Sequence, residues 1–315
     1  MNIIAKDNRQ ETHTGACQIC GATSLLRHIP FNDGGPHANE IFQNLNMLAC
    51  EACDSMWVID PPTNEQLGSY YSTDYTPGRM APVAKDQWPI WDTRSASLLL
   101  YARLFTEFRP GDLFVDIGPG NGSSLSLAPM MLPSPRIGCV EFNERSIAFF
   151  KRHIPGIEVH QSVQSFIDRH GEGAIKMIYS AHSFEHFRID GLKQEFATIH
   201  RALANDGVMT IELPYAPAAK SGLARRHSPH LLFFSDRGFS QMLERSGFEV
   251  LFCRVVVGRT KPGAAYAAEN YKTEGAKGAL AAALAFANSG DFITRDVEPA
   301  KALGYVIKCV VRKAR

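Results

Sequence analysis

The chain has 315 residues, 45% of them hydrophobic, and 33 Lys and Arg against 32 Asp and Glu, for a net charge of +1. That is enough apolar material for one large core, or for a domain with a smaller appendage. The balanced charge argues against a general nucleic-acid partner, whose binding rests on an excess of cations. The polar start MNIIAKDNRQETHTG lacks an apolar core of signal-peptide length, and the longest apolar run, ALAAALAFA at 279–287, is too short to span a bilayer. A cytoplasmic protein with no membrane partner is expected.

Composition changes near residue 95. Before it the chain is rich in Pro, Gly, Asn and aromatics with few periodic segments, and it carries two CxxC pairs, Cys17/Cys20 and Cys50/Cys53. Four thiolates on two knuckles suit a tetrahedral zinc ion, although the gap between the pairs is longer than in a common zinc ribbon. A redox dithiol is the rival, and neither pair sits in a thioredoxin-like βαβ context. The remaining cysteines, Cys139, Cys253 and Cys309, stand singly in apolar runs as small core residues, which is not a disulfide framework.

After residue 95 short apolar runs alternate with helical patterns. DLFVDIG (112–118) predicts a strand running into a glycine turn and a helix. RIGCVEF (136–142) is a second strand, followed by the helix NERSIAFFKRH (143–153) with Asn143 as its cap. IEVHQ (157–161) is a third strand and VQSFIDRH (163–170) a short helix. AIKMIYSA (174–181) is a fourth strand. Leu192, Phe196, Ile199 and Leu203 then recur on one helix face, NDG (205–207) ends that helix, and VMTIELP (208–214) is a fifth strand. SDRGFSQMLERSG (235–247) is a helix capped by Ser235 or Asp236. FEVLFCRVVV (248–257) and GYVIKCVVRK (304–313) are strands separated by an insertion at 258–303, and with no patterned crossover helix between them they can pair antiparallel. The alternation implies right-handed βαβ units and a parallel sheet.

DIGPGNG (116–122) places Gly118, Gly120 and Gly122 directly after a strand, where glycine lets the backbone approach a ligand and turn into a helix N-terminus. Glu141 ends the next strand, where a carboxylate can accept from ribose hydroxyls. These features alone fit an NAD-binding oxidoreductase as well as other nucleoside cofactors.

Five pieces in order, VDIGPGNG, CVEFN, HSFEHF, HRALANDGVMTIELP and HLLFFSDRGFSQMLERSGFEV, resemble the class I S-adenosylmethionine-dependent methyltransferases over about residues 95–257 and the last strand. The resemblance implies a Rossmann-like seven-stranded α/β sheet with an antiparallel last strand, and S-adenosyl-L-methionine as cofactor. Asp116 and the glycine turn would hold its methionine end, Glu141 its ribose, and Phe142 its adenine. Ser162, Val163 and Gln164 fall where the family meets the adenine edge, with Ser162 about where many members carry an acid. CQICG, CEACDSMWV and GSYYSTDY resemble the zinc-binding N-terminal domain of sugar C-methyltransferases and relatives from polysaccharide and natural-product clusters. The implied division is residues 1–80 as a small zinc-binding domain and 81–315 as the methyltransferase domain. The implied partner is a small-molecule acceptor, a sugar or a related intermediate.

HSFEHF (182–187) follows the fourth strand, beyond whose carboxyl end ligands bind in open α/β sheets. His182 is the expected general base, with His230 and Tyr215 as further candidates on substrate-side loops. A metal-assisted O-methyltransferase using His182, Glu185 and His186, with His230 as a possible fourth ligand, is the alternative. Its imidazoles make magnesium a poor fit. Glu185 and His186 could instead only hold the loop, and a non-catalytic cofactor-binding module is a further alternative.

Overall fold

The computed structural model describes residues 12–34, 38–74, 83, 85–90, 92–220, 227–257 and 305–314. The insertion at 258–303 lies outside them.

The N-terminal part is an antiparallel sheet of β1 (Thr12–Ala16), β2 (Thr23–Pro30), β3 (Asn46–Cys50) and β4 (Met56–Val58). The Cys17–Cys20 knuckle turns β1 into β2, and the Cys50–Cys53 knuckle turns β3 into β4. Helix α1 (Asn64–Ser69) follows, started by a capping box in which Thr63 and Gln66 satisfy each other's backbone N–H groups. A π-helical turn, Tyr70–Asp74, continues it.

Next come α2 (Thr93–Phe105), β5 (Leu113–Ile117), α3 (Ser123–Met131), β6 (Arg136–Val140), α4 (Glu144–His153), β7 (Glu158–His160), α5 (Val163–His170), β8 (Ile175–Ala181), α6 (Ile189–Ala202) and β9 (Leu203–Pro214). After β10 (Leu232–Phe233) the chain forms α7 (Asp236–Arg245), β11 (Phe248–Val257) and β12 (Tyr305–Lys313). Asn143 caps α4 by accepting from the Ser146 N–H, and Ser235 caps α7 by accepting from the Gly238 N–H, as the sequence leads one to expect.

The large sheet has seven strands in the order β11-β12-β9-β8-β5-β6-β7. β7, β6, β5, β8 and β9 pair in parallel, and β12 is antiparallel to both β9 and β11. The seven-stranded α/β sheet with its reversed last strand is thus present. One correction concerns β9, which begins at Leu203 and not at Val208, running through the NDG stretch because Leu203 already pairs with Ile175 across a register shift. A second finding was not foreseen. β10 joins the other sheet, as a fifth strand against β4, with Leu232 opposite Trp57 and Phe233 opposite Met56.

Apolar faces pack on both sides of the large sheet. One core includes Phe184, Leu192, Phe196, Ile199 and Phe239, and runs without a break into Cys17, Cys50, Cys53 and Trp57 of the N-terminal part. The other includes Leu98, Leu99, Phe114, Phe149 and Phe150. Each such fully buried side chain contributes about 1.5–3 kcal/mol, so the Cys-bearing sheet is fixed to the large one by a shared core. Among the described residues no helix is long and apolar enough to cross a membrane.

Candidate functional site

A cavity of about 1070 Å³ lies at the carboxyl ends of β5, β6 and β8, where ligands enter open α/β sheets. Its two ends differ in chemistry.

At the first end β5 breaks into the glycine turn. Gly118 has φ +70°, and a Cβ there would lie 2.3 Å from Ser183 Oγ, so a side chain fits neither the backbone nor the space. Gly118 and Gly120 line the cavity, whereas Gly122, at φ +79°, is packed against the Phe150 ring and does not. Asp116, 2% exposed, also lines it. Its Oδ2 accepts from Ser124 Oγ, while its buried Oδ1 has no hydrogen-bond partner among the described residues. Burial is the main reason its carboxyl is pushed up to about 8, against the Ser124 hydrogen bond. A buried carboxylate with an unused oxygen is suited to an ammonium group such as that of the methionine end of S-adenosylmethionine.

Glu141 and Phe142 form the next wall. Glu141 Oε1 accepts from the N–H groups of Phe142 and Asn143, at 2.7 and 2.8 Å, which fixes the carboxylate at the end of β6. Burial raises its pKa in spite of these two donors. The Phe142 ring is 55% exposed, a large apolar face with room for an aromatic ring to stack on it. Ser162 lines the cavity and caps α5 by accepting from the Ser165 N–H. Val163 is fully buried beneath it, and Gln164 hydrogen-bonds Asp168; neither lines the cavity.

The other end is polar and rich in histidine. His182, directly after β8, sits in the left-handed region at φ +57°, a conformation that needs support for a non-glycine residue. The support is a pair of buried acids. The backbone N–H of His182 donates to the Glu212 carbonyl at 2.9 Å, Nε2 lies 3.0 Å from Glu212 Oε1, and Nδ1 lies 3.3 Å from Glu185 Oε1. Burial works to lower the His182 pKa, and the two carboxylates overcome it and raise it. Glu185 is 1% exposed. Burial would raise its carboxyl, but His182, His186 and His230 hold it down at about 2.

His186 and His230 also line the cavity. Their Nε2 atoms lie 4.0 and 3.9 Å from Glu185 Oε1, and the rings meet edge-on at 4.8 Å. His186 Nδ1 is 2.8 Å from the Tyr71 hydroxyl. His230 is held by the Leu231 N–H, which donates to the Glu185 carbonyl, and by β10, which ties the following residues to β4. The N-terminal part therefore contributes to this end directly, through Tyr71, Leu67 and Asn64 of the wall and through the strand that anchors His230. Tyr215 is half-buried outside the lining, bridged to Phe234.

The four paired cysteines are all buried. Cys17 Sγ is 3.9 Å from Cys53 Sγ, and Cys20 Sγ is 3.9 Å from Cys50 Sγ. A tetrahedron with metal–sulfur bonds of about 2.3 Å has edges of about 3.8 Å, so these two edges are already at the spacing that zinc needs, and all four donors lie within 4.8 Å of one another. The N–H groups of Ile19 and Cys20 point at Cys17 Sγ, the hydrogen bonding a thiolate requires. Contact with Cys53 draws the Cys17 thiol down to about 5 and pushes Cys53 up.

Three charged groups escaped the sequence reading. Glu212 in β9 and Lys308 in β12 are direct partners across the two strands, 1% and 3% exposed, with Nζ 3.4 Å from Oε2. Arg94 at the start of α2 lies 3.6 Å from Glu212 and 3.5 Å from Asp92 and lines the cavity. The available signal was a lone acid in VMTIELP and a lone lysine in YVIKCVV, each inside an otherwise apolar strand.

Residues 92–251 match the family model described as a methyltransferase domain. No curated protein matches the chain. Among solved structures the chain is similar to the [4+2]-cyclase SpnF (17% identity, TM-score 0.51, covering 81% of this chain and 97% of that one). It is similar as well to the cyclopropane synthase MmaA2 from Mycobacterium tuberculosis (14%, 0.51, 80% and 99%). A third is geranyl diphosphate C-methyltransferase from Streptomyces coelicolor A3(2), with Mg2+, geranyl diphosphate and S-adenosyl-L-homocysteine (14%, 0.50, 81% and 100%). At these identities the likeness is one of fold.

Proposed function

Since the chain belongs to the class I S-adenosylmethionine-dependent methyltransferases, we propose that this enzyme moves the sulfonium methyl of S-adenosylmethionine onto a small-molecule acceptor held at the histidine-lined end of the cavity. The observation that carries this is the two-ended cavity, with Asp116, the glycine turn, Glu141 and Phe142 at one end and Tyr71, His182, His186 and His230 at the other. One of the structures named above, geranyl diphosphate C-methyltransferase, holds the small molecule geranyl diphosphate, and Tyr71 and Asn64, from the N-terminal part of this chain, suit an acceptor carrying hydroxyls, such as a sugar or a polysaccharide or natural-product intermediate. Nucleic acid is not expected.

When bound, the cofactor supplies an electrophilic methyl for in-line attack. This chain's residues hold the two ends. Asp116 takes the ammonium, Glu141 the ribose and Phe142 the adenine face; Val163 and Gly122 support the walls from beneath. The group that promotes loss of the acceptor's proton is not His182: its Nε2 lies 3.0 Å from Glu212 and its Nδ1 3.3 Å from Glu185, so both ring nitrogens face buried carboxylates and it acts as a fixed positive group. The acceptor's proton leaves through the Glu185, His186 and His230 group instead. Tyr215 acts at a distance, through the segment that carries His230. We further propose that Cys17, Cys20, Cys50 and Cys53 hold a structural zinc, and that residues 1–80 and 81–315 are the zinc-binding and methyltransferase domains.

The test is a mass-spectrometric screen of sugars, phenols and hydroxy acids for methylated product, with calorimetry against S-adenosylhomocysteine and NAD. His230→Ala should lower turnover about 10²–10⁴-fold with cofactor affinity unchanged. Binding of NAD alone would end the proposal. Cofactor binding combined with a rearranged, unmethylated product would favour chemistry like that of the cyclase SpnF.

A further inference from the structure

We infer that Glu185, His186 and His230 form a divalent-cation site that engages the acceptor through two of its oxygen atoms. This rests on the proposed methyl transfer and identifies how the histidine-lined end works.

The donor set is specific. One ligand atom from each of the three residues comes within 4.8 Å of the others. Glu185 Oε1 lies 4.0 Å from His186 Nε2 and 3.9 Å from His230 Nε2. Around a metal with bonds of about 2.1 Å the donor atoms stand about 3.0–3.4 Å apart. Closing the two contacts to Glu185 Oε1 therefore takes about 1 Å or less each, within reach of side-chain rotation.

Two further features go beyond clustering. Glu185 is 1% exposed; Oε2 has no hydrogen-bond partner among the described residues, and Oε1 has only the 3.3 Å contact with His182 Nδ1; a buried carboxylate so thinly hydrogen-bonded has capacity for a further cation beside the His182 imidazole. The outer contacts also have the form that orients metal ligands. His186 is turned by its Nδ1 contact with the Tyr71 hydroxyl so that Nε2 faces Glu185. His182 Nδ1, 3.3 Å from Glu185 Oε1 and anchored behind by Glu212, steadies the carboxylate. His182 is thus outside the ligand set, bound to Glu212 on its other side.

Two imidazoles and one carboxylate favour zinc, manganese, iron(II) or cobalt(II) over magnesium. Three protein ligands on one face leave positions open toward the cavity that His186 and His230 line. An acceptor with two adjacent oxygens, a vicinal diol or a hydroxy-carbonyl compound, fits those positions. On the metal its hydroxyl becomes acidic and releases its proton to solvent, so Glu185, His186 and His230 act on that proton through the metal they hold. The oxygen lone pair then forms the O–CH₃ bond, the S–CH₃ pair returns to sulfur, and the positive charge of the sulfonium is cancelled.

The experiment adds cobalt(II) to the full chain as purified and records visible absorption. One equivalent should bind with weak bands of nitrogen and oxygen ligation, distinct from the intense thiolate charge-transfer bands of cobalt at the cysteines. His186→Ala, His230→Ala and Glu185→Gln should each remove this signal while retaining the wild-type circular dichroism. Tyr71→Phe, which leaves all three ligands in place and serves as the second variant should the buried Glu185 change disturb folding, should weaken binding about 10–100-fold. No cobalt binding at millimolar metal, or binding that survives His186→Ala and His230→Ala, overturns the site. Methylation that continues at full rate after chelation overturns its role and leaves the methyltransferase proposal standing. Cobalt binding with no methyl transfer to any acceptor supports the site while removing the methyl-transfer reading.

Discussion

Replacing Lys308 with Met tests the buried charge network behind His182. Methionine keeps the length of the side chain up to the Cε position and removes the ammonium that lies 3.4 Å from Glu212 Oε2. Removing one member of a buried ion pair costs about 3–5 kcal/mol. Glu212 keeps Arg94 at 3.6 Å and His182 at 3.0 Å, which places the expected loss near the lower end, about 3 kcal/mol. At about 1.5 °C per kcal/mol for a chain of this size, the melting temperature should fall by about 4–5 °C. The double variant Lys308→Met, Glu212→Leu should recover most of that loss, because an apolar pair of similar volume is often as stable as a buried ion pair. It should nevertheless be inactive, since His182 has lost the acid on its Nε2. Burial works to raise the Glu212 carboxyl, and Lys308 and His182 hold it below the ordinary range. Its contribution to stability is therefore present above about pH 4.5 and is lost as the pH falls through the lower folded value; Lys308→Met should weaken that acid-side dependence. The assay is thermal unfolding of the four proteins of the double-mutant cycle across pH 3.5–7.5, alongside turnover. A drop of less than about 2 °C for Lys308→Met, or a double variant as unstable as the sum of the singles, would show that the pair does not act as a coupled unit.

Metal analysis should find zinc at the four cysteines, and Cys50→Ser should lose it together with the folded N-terminal sheet; a fully folded, metal-free protein with four titratable thiols there would refute the zinc proposal. Asp116 provides a pH test. Its folded pKa, about 8, is raised above the unfolded value of about 3.9, so its contribution to stability is full at low pH and is lost as pH rises through 8. An ammonium bound to Asp116 favours the carboxylate, so binding S-adenosylhomocysteine at pH 7 should release a proton. Calorimetry in two buffers of different ionisation heat measures that release, and Asp116→Asn should abolish it; equal proton release in both proteins would remove Asp116 from the ammonium site.

The βαβ half of the fold was legible almost residue by residue because its signals are local: Asn143 and Ser235 sit where a capping side chain must, and Phe196 and Ile199 repeat with the helix period. The same holds for Asp116 near the end of β5 and for the glycine turn and Glu141, which follow their strands directly. What could not be read depends on contacts distant in sequence. Strands β3 and β4 are short and carry no alternation, because nearly every one of their residues is buried. Leu232 and Phe233 resemble any apolar pair until β4 is beside them. His182 was conspicuous as a titratable group after a strand, yet the role proposed for it rests on Glu212, thirty positions on, whose partner Lys308 lies beyond the insertion.

The strand at Leu232–Phe233 has a practical consequence for anyone wishing to exchange acceptor preference between related enzymes. A graft that swaps residues 1–80 alone would move four strands of a five-stranded sheet and leave the fifth behind, in the segment that also carries His230. The recipient would then have a foreign edge against its own Leu232, and His230 displaced relative to Tyr71. The natural unit of exchange is discontinuous: the cysteine-bearing segment together with residues 227–235, transferred as a pair.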